Sequence, residues 1–383
     1  MSSPAFPEPA FMADEELRMF ADSVGKFLDR NAPPERVAKW REEGMVERAF
    51  WREAGEAGLL GVSVPEAFGG HGGDFRHDVV VAETIIRKGV EGFAAGLHNV
   101  IITPYIQAHG TEGQKKKWLP KLVSGEAIVT PAWMEPQSGF GPKGVNLRAT
   151  KSGDGFVLSG QKRHVAFASS AARLVVLART GEKLEDISLF LVDPHAEGVS
   201  MKQLKSLASD TQYDVRFDGV RVPAAARIGA ANGGWTVWDA AMHDGIVVLA
   251  GLAMGGCERA LEITVQYAKD RKQFDKPIGA FQAISHYLAD AVTQLDGGKT
   301  LVYEAAAARA AGRDIRRLAP MAKLFACQTY RDATAMCQQV WGGVGFTIEY
   351  DIQLYFRRAK QLQLTWWDTR HLEELIAADV LDR

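Results

Sequence analysis

Between Ala127 and Pro223 the chain reads differently from what lies on either side of it. "GFVLSGQKRHVAF", "ARLVVLART", "DISLFLVDP" and "TQYDVRFDGVRVP" are short, β-branched runs broken by Gly, Asp and Pro, as strands are. Before this block the pattern is helical. "DEELRMFADSVGKFLDR" sets Leu17, Phe20, Val24, Phe27 and Leu28 on one stripe, with Asp14 able to cap it. "DVVVAETIIRKG" and "EGQKKKWLPKLVSG" continue in the same manner. From about Trp235 helices return in "GIVVLAGLAMGGCERALEITVQYAKDRKQF" and "RRLAPMAKLFACQTYRDATAMCQQVWGG", both rich in Ala and Leu. At 383 residues the chain exceeds what a single hydrophobic core serves, so several domains are expected. Their predicted bounds are 1–125 (helical), 126–232 (β) and 233–383 (helical bundle).

Charge and motifs exclude several functions. With 45 basic against 47 acidic residues, there is no footprint for nucleic acid or an anionic membrane. No apolar run approaches the roughly 18 residues that span a bilayer. The first residues lack the basic-then-apolar order of a signal peptide. Cys257, Cys327 and Cys337 have no metal-site spacing, and buried, reduced thiols of a cytoplasmic protein are expected. There is no GxGxxG after a strand, no P-loop, no GxSxG and no HExxH. His71 and His77, in "GGHGGDFRHD", read as part of a solvated glycine loop, and no metal is expected.

Three stretches are more specific: "RKQFDKPIGAFQAISHYLADA" (271–291), "QQVWGGVGFTIEYDIQLYFRRAK" (338–360) and "FDGVRVP" (217–223). Arg271 offers a planar, permanently charged fork suited to a pyrophosphate. Gln273 can read polar edges, and Phe274 gives a flat face on which an adenine can stack. Gly342 and Gly343 remove side chains where backbone must come close to a ligand, with Gln339 one turn ahead. With the order of the three zones, these strings resemble the acyl-CoA dehydrogenase family of flavoproteins over essentially the whole chain. The resemblance implies an α+β multidomain fold: an N-terminal helical domain, a middle antiparallel β-barrel-like domain and a C-terminal four-helix bundle. It also implies FAD, an acyl-CoA substrate, an electron-transferring flavoprotein as oxidant, and a homo-oligomer (dimer or tetramer). In such an assembly Arg271, Gln273 and Phe274 of one subunit, with Gln339 and Gly343 of its neighbour, hold the ADP half of FAD.

At the flavin end the chain departs from the family pattern. In "WMEPQSGFGPKG" Glu135 and Pro136 survive, but Met134 stands in place of a hydroxyl residue and Phe140-Gly141 in place of Ser-Asp. In "KRHVAFAS", His164 stands where the family has a tryptophan behind the flavin, and Ala166 where a hydroxyl donates toward flavin N5. The family's proton-abstracting glutamate is also missing. Counting from "RRAK" puts Trp366 on the glutamate, Trp367 on the following glycine and Asp368 on the threonine. The alternative family position, before "GGCERAL", lands on Gly245, with Asp244 beside it. Three explanations stay open. Asp244 or Asp368 acts as base, a partner chain of a heteromer supplies the base, or the fold performs a flavin-dependent oxygenation with His164 in the site. Each aspartate also has a plain structural reading. Asp368 can cap the last helix, with Trp367 and Leu372 as its hydrophobic staple, and as a cap beside the flavin it can also border that cofactor; Asp244 can complement the dipole of a nearby helix start.

Overall fold

The computed structural model describes residues 14–382, apart from 91, 137, 138, 208 and 209. Helices α1 (Glu15–Asn31), α2 (Pro34–Glu43), α3 (Arg48–Glu56), α4 (Phe75–Arg87), α5 (Ala95–Leu97), α6 (Thr103–His109) and α7 (Glu112–Val123) come first. Strands follow: β1 (Val129–Ala132), β2 (Arg148–Ser152), β3 (Gly155–Ala166), β4 (Arg173–Arg179), β5 (Ile187–Val192), β6 (Val199–Leu204), β7 (Gln212–Pro223) and β8 (Arg227–Ile228). The chain then forms α8 (Gly234–Asp270), a small hairpin of β9 (Lys272–Gln273) and β10 (Lys276–Pro277), α9 (Gln282–Ala310), α10 (Leu318–Trp341), α11 (Ile352–Leu364) and α12 (Thr369–Val380). No described helix is long and apolar enough to cross a membrane.

These elements form two compact units that do not follow chain order. One draws on residues 1–34, 75–91 and 246–383, the other on 35–74 and 92–245. In the first, α1 begins at Asp14, whose carboxylate accepts from the amides of Glu16 and Leu17, and Leu17, Val24 and Leu28 form its buried stripe. The Gly255-Gly256 pair of α8 explains how its neighbours come so close. A Cβ at Gly255 would lie 2.1 Å from the carbonyl oxygen of Glu83 in α4, and one at Gly256 2.4 Å from the Tyr330 hydroxyl of α10. Charge is buried in the same core. Lys299 of α9 pairs with Glu83 at 2.8 Å and Glu258 at 3.0 Å, and the Tyr303 hydroxyl donates to Glu83. Burial opposes the Lys299 ammonium, but the two carboxylates win and hold its pKa above the ordinary lysine value.

The second unit is built on an eight-stranded sheet of order β6-β7-β3-β2-β4-β5-β8, with β1 joined to β4. Most pairings are antiparallel, as expected, but β1 runs parallel to β4 and β2 meets β4 in a single parallel pair. The sheet is therefore mixed. The reason is connectivity: β1 is not half of a hairpin, and its partner lies far along the chain, where either direction is open to it. Leu158, Val165, Leu174, Val176, Phe190, Val215, Phe217 and Val220 fill the sheet's core. Thr111 and Gln114 form a capping box at the start of α7. The same Gln114 amide donates to the carbonyls of Ala225 and Arg227, tying that helix to the end of the sheet block. The three cysteines are buried and unbridged.

Candidate active site

In the first unit the two clamp strings occupy exposed turns. Phe274 and Asp275 have φ of 52° and 64°, the two left-handed residues that a tight two-residue hairpin requires. Glycine or asparagine usually serves there. Instead the turn lifts the Phe274 ring 87% into solvent, edge-on to Phe281 at 6.1 Å. Arg271 and Gln273 flank it and are exposed. At the other turn, α10 ends in Trp341, whose ring stacks on Tyr267 at 4.2 Å and whose Nε1 donates to Thr264. Gly342 then takes φ 64°, and no atom lies within 4 Å of where a Cβ would stand at Gly342 or Gly343. Gln339 is exposed one turn earlier. A flat ring, a guanidinium and an open glycine backbone suit the adenine and pyrophosphate of a dinucleotide, so these residues fit FAD's ADP half.

In the second unit Glu135 organises the flavin-end residues. Its carboxylate is buried and accepts from the amides of Asn146 and Leu147 at 2.9 Å and from the Lys162 ammonium at 2.8 Å. Lys162 also donates to the Trp133 carbonyl. Burial drives the Lys162 pKa down to about 8, against the pull of Glu135. Glu135 is thus an anchor for the Trp133–Pro136 turn and not an acid–base group. Met134, beside it, is half-buried and accepts the Arg163 amide at its carbonyl. The β3–β7 ladder slips between Lys162 and Val165. That bulge sets His164 at φ 55°, exposed, with Nδ1 bonded to Gln212 at 2.8 Å. Ala166 resumes the ladder opposite Gln212 and is half-buried.

The two candidate aspartates differ in what they already do. Asp368 is the N-cap of α12, and its carboxylate accepts from the His371 amide at 2.9 Å. Trp367 and Leu372 are both buried, as a staple requires. Asp244 corrects the sequence reading. The helix begins ten residues earlier, at Gly234, where the glycine lets backbone approach β5 (a Cβ there would meet the Ile187 carbonyl at 2.9 Å). Asp244 therefore lies in the helix interior, half-buried, and complements no helix start. With Asp239 it raises the pKa of the Tyr105 hydroxyl, although burial is the larger cause. That hydroxyl is buried and has no hydrogen-bond partner among the described residues. Its ring stacks on Trp238, which in turn touches Trp133.

Sequence reasoning missed the buried lysines. Lys162 and Lys323 are both fully buried, and Lys323 donates to the carbonyls of Thr365 and Trp367, on either side of Trp366. Its signal was a lone lysine inside the apolar helical run "APMAKLFAC", where burial of the amine was foreseeable. Among the described residues no cluster of His, Cys, Asp and Glu could hold a metal ion.

Known proteins give the same answer along the whole chain. Residues 14–126, 130–220 and 232–366 match the acyl-CoA dehydrogenase N-terminal, middle and C-terminal domains. The mitochondrial long-chain specific acyl-CoA dehydrogenase of Mus musculus is 30% identical, over 96% of this chain and 86% of its own length. The short/branched chain specific enzyme of Bos taurus is also 30% identical, over 91% and 81%. An acyl-CoA dehydrogenase structure from Geobacillus kaustophilus aligns with a TM-score of 0.92 at 30% identity, covering 96% of this chain and 98% of that one. Three successive domains and relatives matched nearly end to end lead to one conclusion: this chain belongs to the acyl-CoA dehydrogenase family, whose members are FAD-dependent oxidoreductases acting on CH–CH bonds.

Proposed function

We propose that this protein dehydrogenates an acyl-CoA across its Cα–Cβ bond, with Asp244 taking the α-proton. The reaction class, FAD-dependent α,β-dehydrogenation of an acyl-CoA, follows from family membership, and the oxygenase and heteromeric alternatives are not favoured. FAD, when bound, supplies the hydride acceptor. Arg271 neutralises its pyrophosphate and Phe274 stacks on its adenine, with Gln273 beside them and Gln339, Gly342 and Gly343 of a neighbouring copy closing the site. Met134, His164 and Ala166 would border the flavin ring, offering fewer side-chain hydroxyl donors than the family pattern.

The observation that carries the choice of base is the place of Asp244, half-buried in the interior of α8 beside the family's alternative base position. Asp368 caps α12 through the His371 amide, and Glu135 is bonded to two amides and an ammonium. Asp244 is half-buried and close enough to Tyr105 to raise the pKa of that hydroxyl, and a positioned carboxylate is a common acceptor for an α-proton. Trp366 and Trp367, where the family has Glu-Gly, favour a flat or cyclic acyl group. We further propose a cytoplasmic homo-oligomer that passes its electrons to an electron-transferring flavoprotein.

Anaerobic mixing with a panel of acyl-CoAs tests the reading. The wild-type flavin bleaches with at least one of them. Asp244→Asn bleaches roughly 100-fold more slowly or worse, within the usual range for a lost general base, while keeping its flavin. An Asp244→Asn protein that bleaches at the wild-type rate removes Asp244 from the mechanism. A wild-type protein that no acyl-CoA bleaches removes the dehydrogenation itself.

A further inference from the structure

The "TWWD" segment carries an unusual backbone. Trp366 has φ 65°, a left-handed conformation that a large side chain adopts at roughly 1–2 kcal/mol above the right-handed one. Such a residue persists only where its surroundings over-determine it. Here they do so from one atom. The α11 helix ends at Leu364, and Thr365 closes it by donating its amide and hydroxyl to the Gln361 carbonyl. Three residues on, Asp368 caps the start of α12. Lys323 of α10 reaches the bend between the two helices, and its Nζ donates to the Thr365 carbonyl and to the Trp367 carbonyl. Those two oxygens bracket Trp366 on both sides.

The lysine is costly where it is. It is fully buried, and burial pushes its pKa down to about 8, opposed by Cys327 and Asp368. A methionine of similar volume would fill the same space without that penalty. What a methionine cannot supply is a donor to the two carbonyls, and without them nothing in that position opposes relaxation of Trp366 to a commoner conformation. The Trp366 side chain is itself only half-buried, so its placement rests on the backbone beneath it more than on a packed cage.

We infer that Lys323 is a positioning residue for the substrate. By bridging the carbonyls of Thr365 and Trp367 it holds Trp366 left-handed, and so fixes the indole as a wall of the acyl pocket that admits flat or cyclic acyl groups over flexible straight chains. This rests on the reading of Trp366 as part of the acyl site given above. Lys323 touches neither substrate nor cofactor and acts only through Trp366.

The test is a double-mutant cycle on the flavin-loaded protein with Lys323→Met and Trp366→Gly, glycine being at ease with φ > 0. Two probes are used, 3-phenylpropanoyl-CoA and octanoyl-CoA, together with non-oxidisable thioether analogues of each for binding. In Lys323→Met the preference for the aryl over the straight-chain probe falls about tenfold, within the usual discrimination of one apolar pocket wall. The change appears in KM and in the analogue dissociation constants more than in kcat. In the Trp366→Gly background the same Lys323→Met change shifts the preference less than about twofold, because the wall it positions is gone. An equal shift in both backgrounds, or no shift in the first, overturns the inference. If Lys323→Met does not fold, Lys323→Gln, which keeps an NH₂ donor but loses the charge and reach, enters the same cycle. A second readout needs no turnover: a crystal structure of the lysine variant shows Trp366 outside the left-handed region, and a retained left-handed Trp366 overturns the inference whatever the activity. Loss of all acyl-CoA bleaching in the wild type counts against the dehydrogenase reading, and the backbone readout then still decides the role of Lys323.

Discussion

Acid should destabilise this protein through one imidazole, and the size of the effect can be worked out in advance. His98 lies in a π-helical turn (His98–Ile102) between α5 and α6, fully buried. Its Nε2 sits 2.9 Å from the Leu122 carbonyl, so that nitrogen carries the proton, and Nδ1 has no partner among the described residues. Burial lowers the pKa from 6.5 to about 4, outweighing the Leu122 carbonyl, which favours the charged ring. A base whose folded pKa is depressed leaves the unfolded chain holding more protons between those two values, so stability rises with pH across the window. The contribution is fully present above pH 6.5 and is lost as pH falls through about 4. A shift from 6.5 to about 4 corresponds to about 3 kcal/mol in total, of which about 2.5 kcal/mol is lost between pH 7 and 4.5. The assay is urea unfolding from pH 7.5 to 4.5 for the wild type and for His98→Gln, whose amide can still donate to Leu122 but cannot titrate. The wild-type curve falls below that of the variant by about the stated amount as pH drops. Parallel curves refute the reasoning, since they mean that the imidazole gains a second partner or takes its proton without penalty.

Three further outcomes are expected. Glu135→Gln leaves the buried Lys162 without its counter-charge and destabilises the protein by about 3–5 kcal/mol in urea unfolding, as breaking a buried ion pair does. Phe274→Ala leaves the unfolding midpoint unchanged, because the ring is exposed, but weakens FAD retention by about 0.5–1.5 kcal/mol in fluorescence titration. Asp368→Ala lowers stability by about 1 kcal/mol through loss of the α12 cap, whereas Asp368→Ser retains it. Both keep acyl-CoA bleaching within a few-fold of wild type, and a loss of bleaching in the serine variant would move the base from Asp244 to Asp368.

Local chemistry was legible wherever the deciding forces lie within a few residues. The cap at Asp14 and the cap at Asp368 with its Trp367–Leu372 staple were readable because each depends on positions only two to five apart. The strand block from Val129 to Ile228 was readable from β-branched runs and their turn residues. The direction of β1 was not, since its partner β4 is more than forty residues away and no hairpin constrains it. Asp244 was misjudged for a related reason. The helix start is set by the close approach of Gly234 to β5, a contact that does not appear in the local pattern. His164 was flagged by its departure from the family string, but its left-handed backbone and its bond to Gln212 come from a bulge in the β3–β7 register.

The sequence by itself determined the family and the helix–strand–helix order, because these are carried by residue identity and spacing. Tertiary structure decided which charged groups are already engaged. Glu135 became an anchor only when amides some eleven residues along the chain and the Lys162 ammonium were brought to its oxygens. Lys323 was one lysine among many until folding set its amine against two carbonyls some forty residues along the chain. Burial and partner geometry set the energy of a charge, and both are properties of the packed molecule, not of the residue.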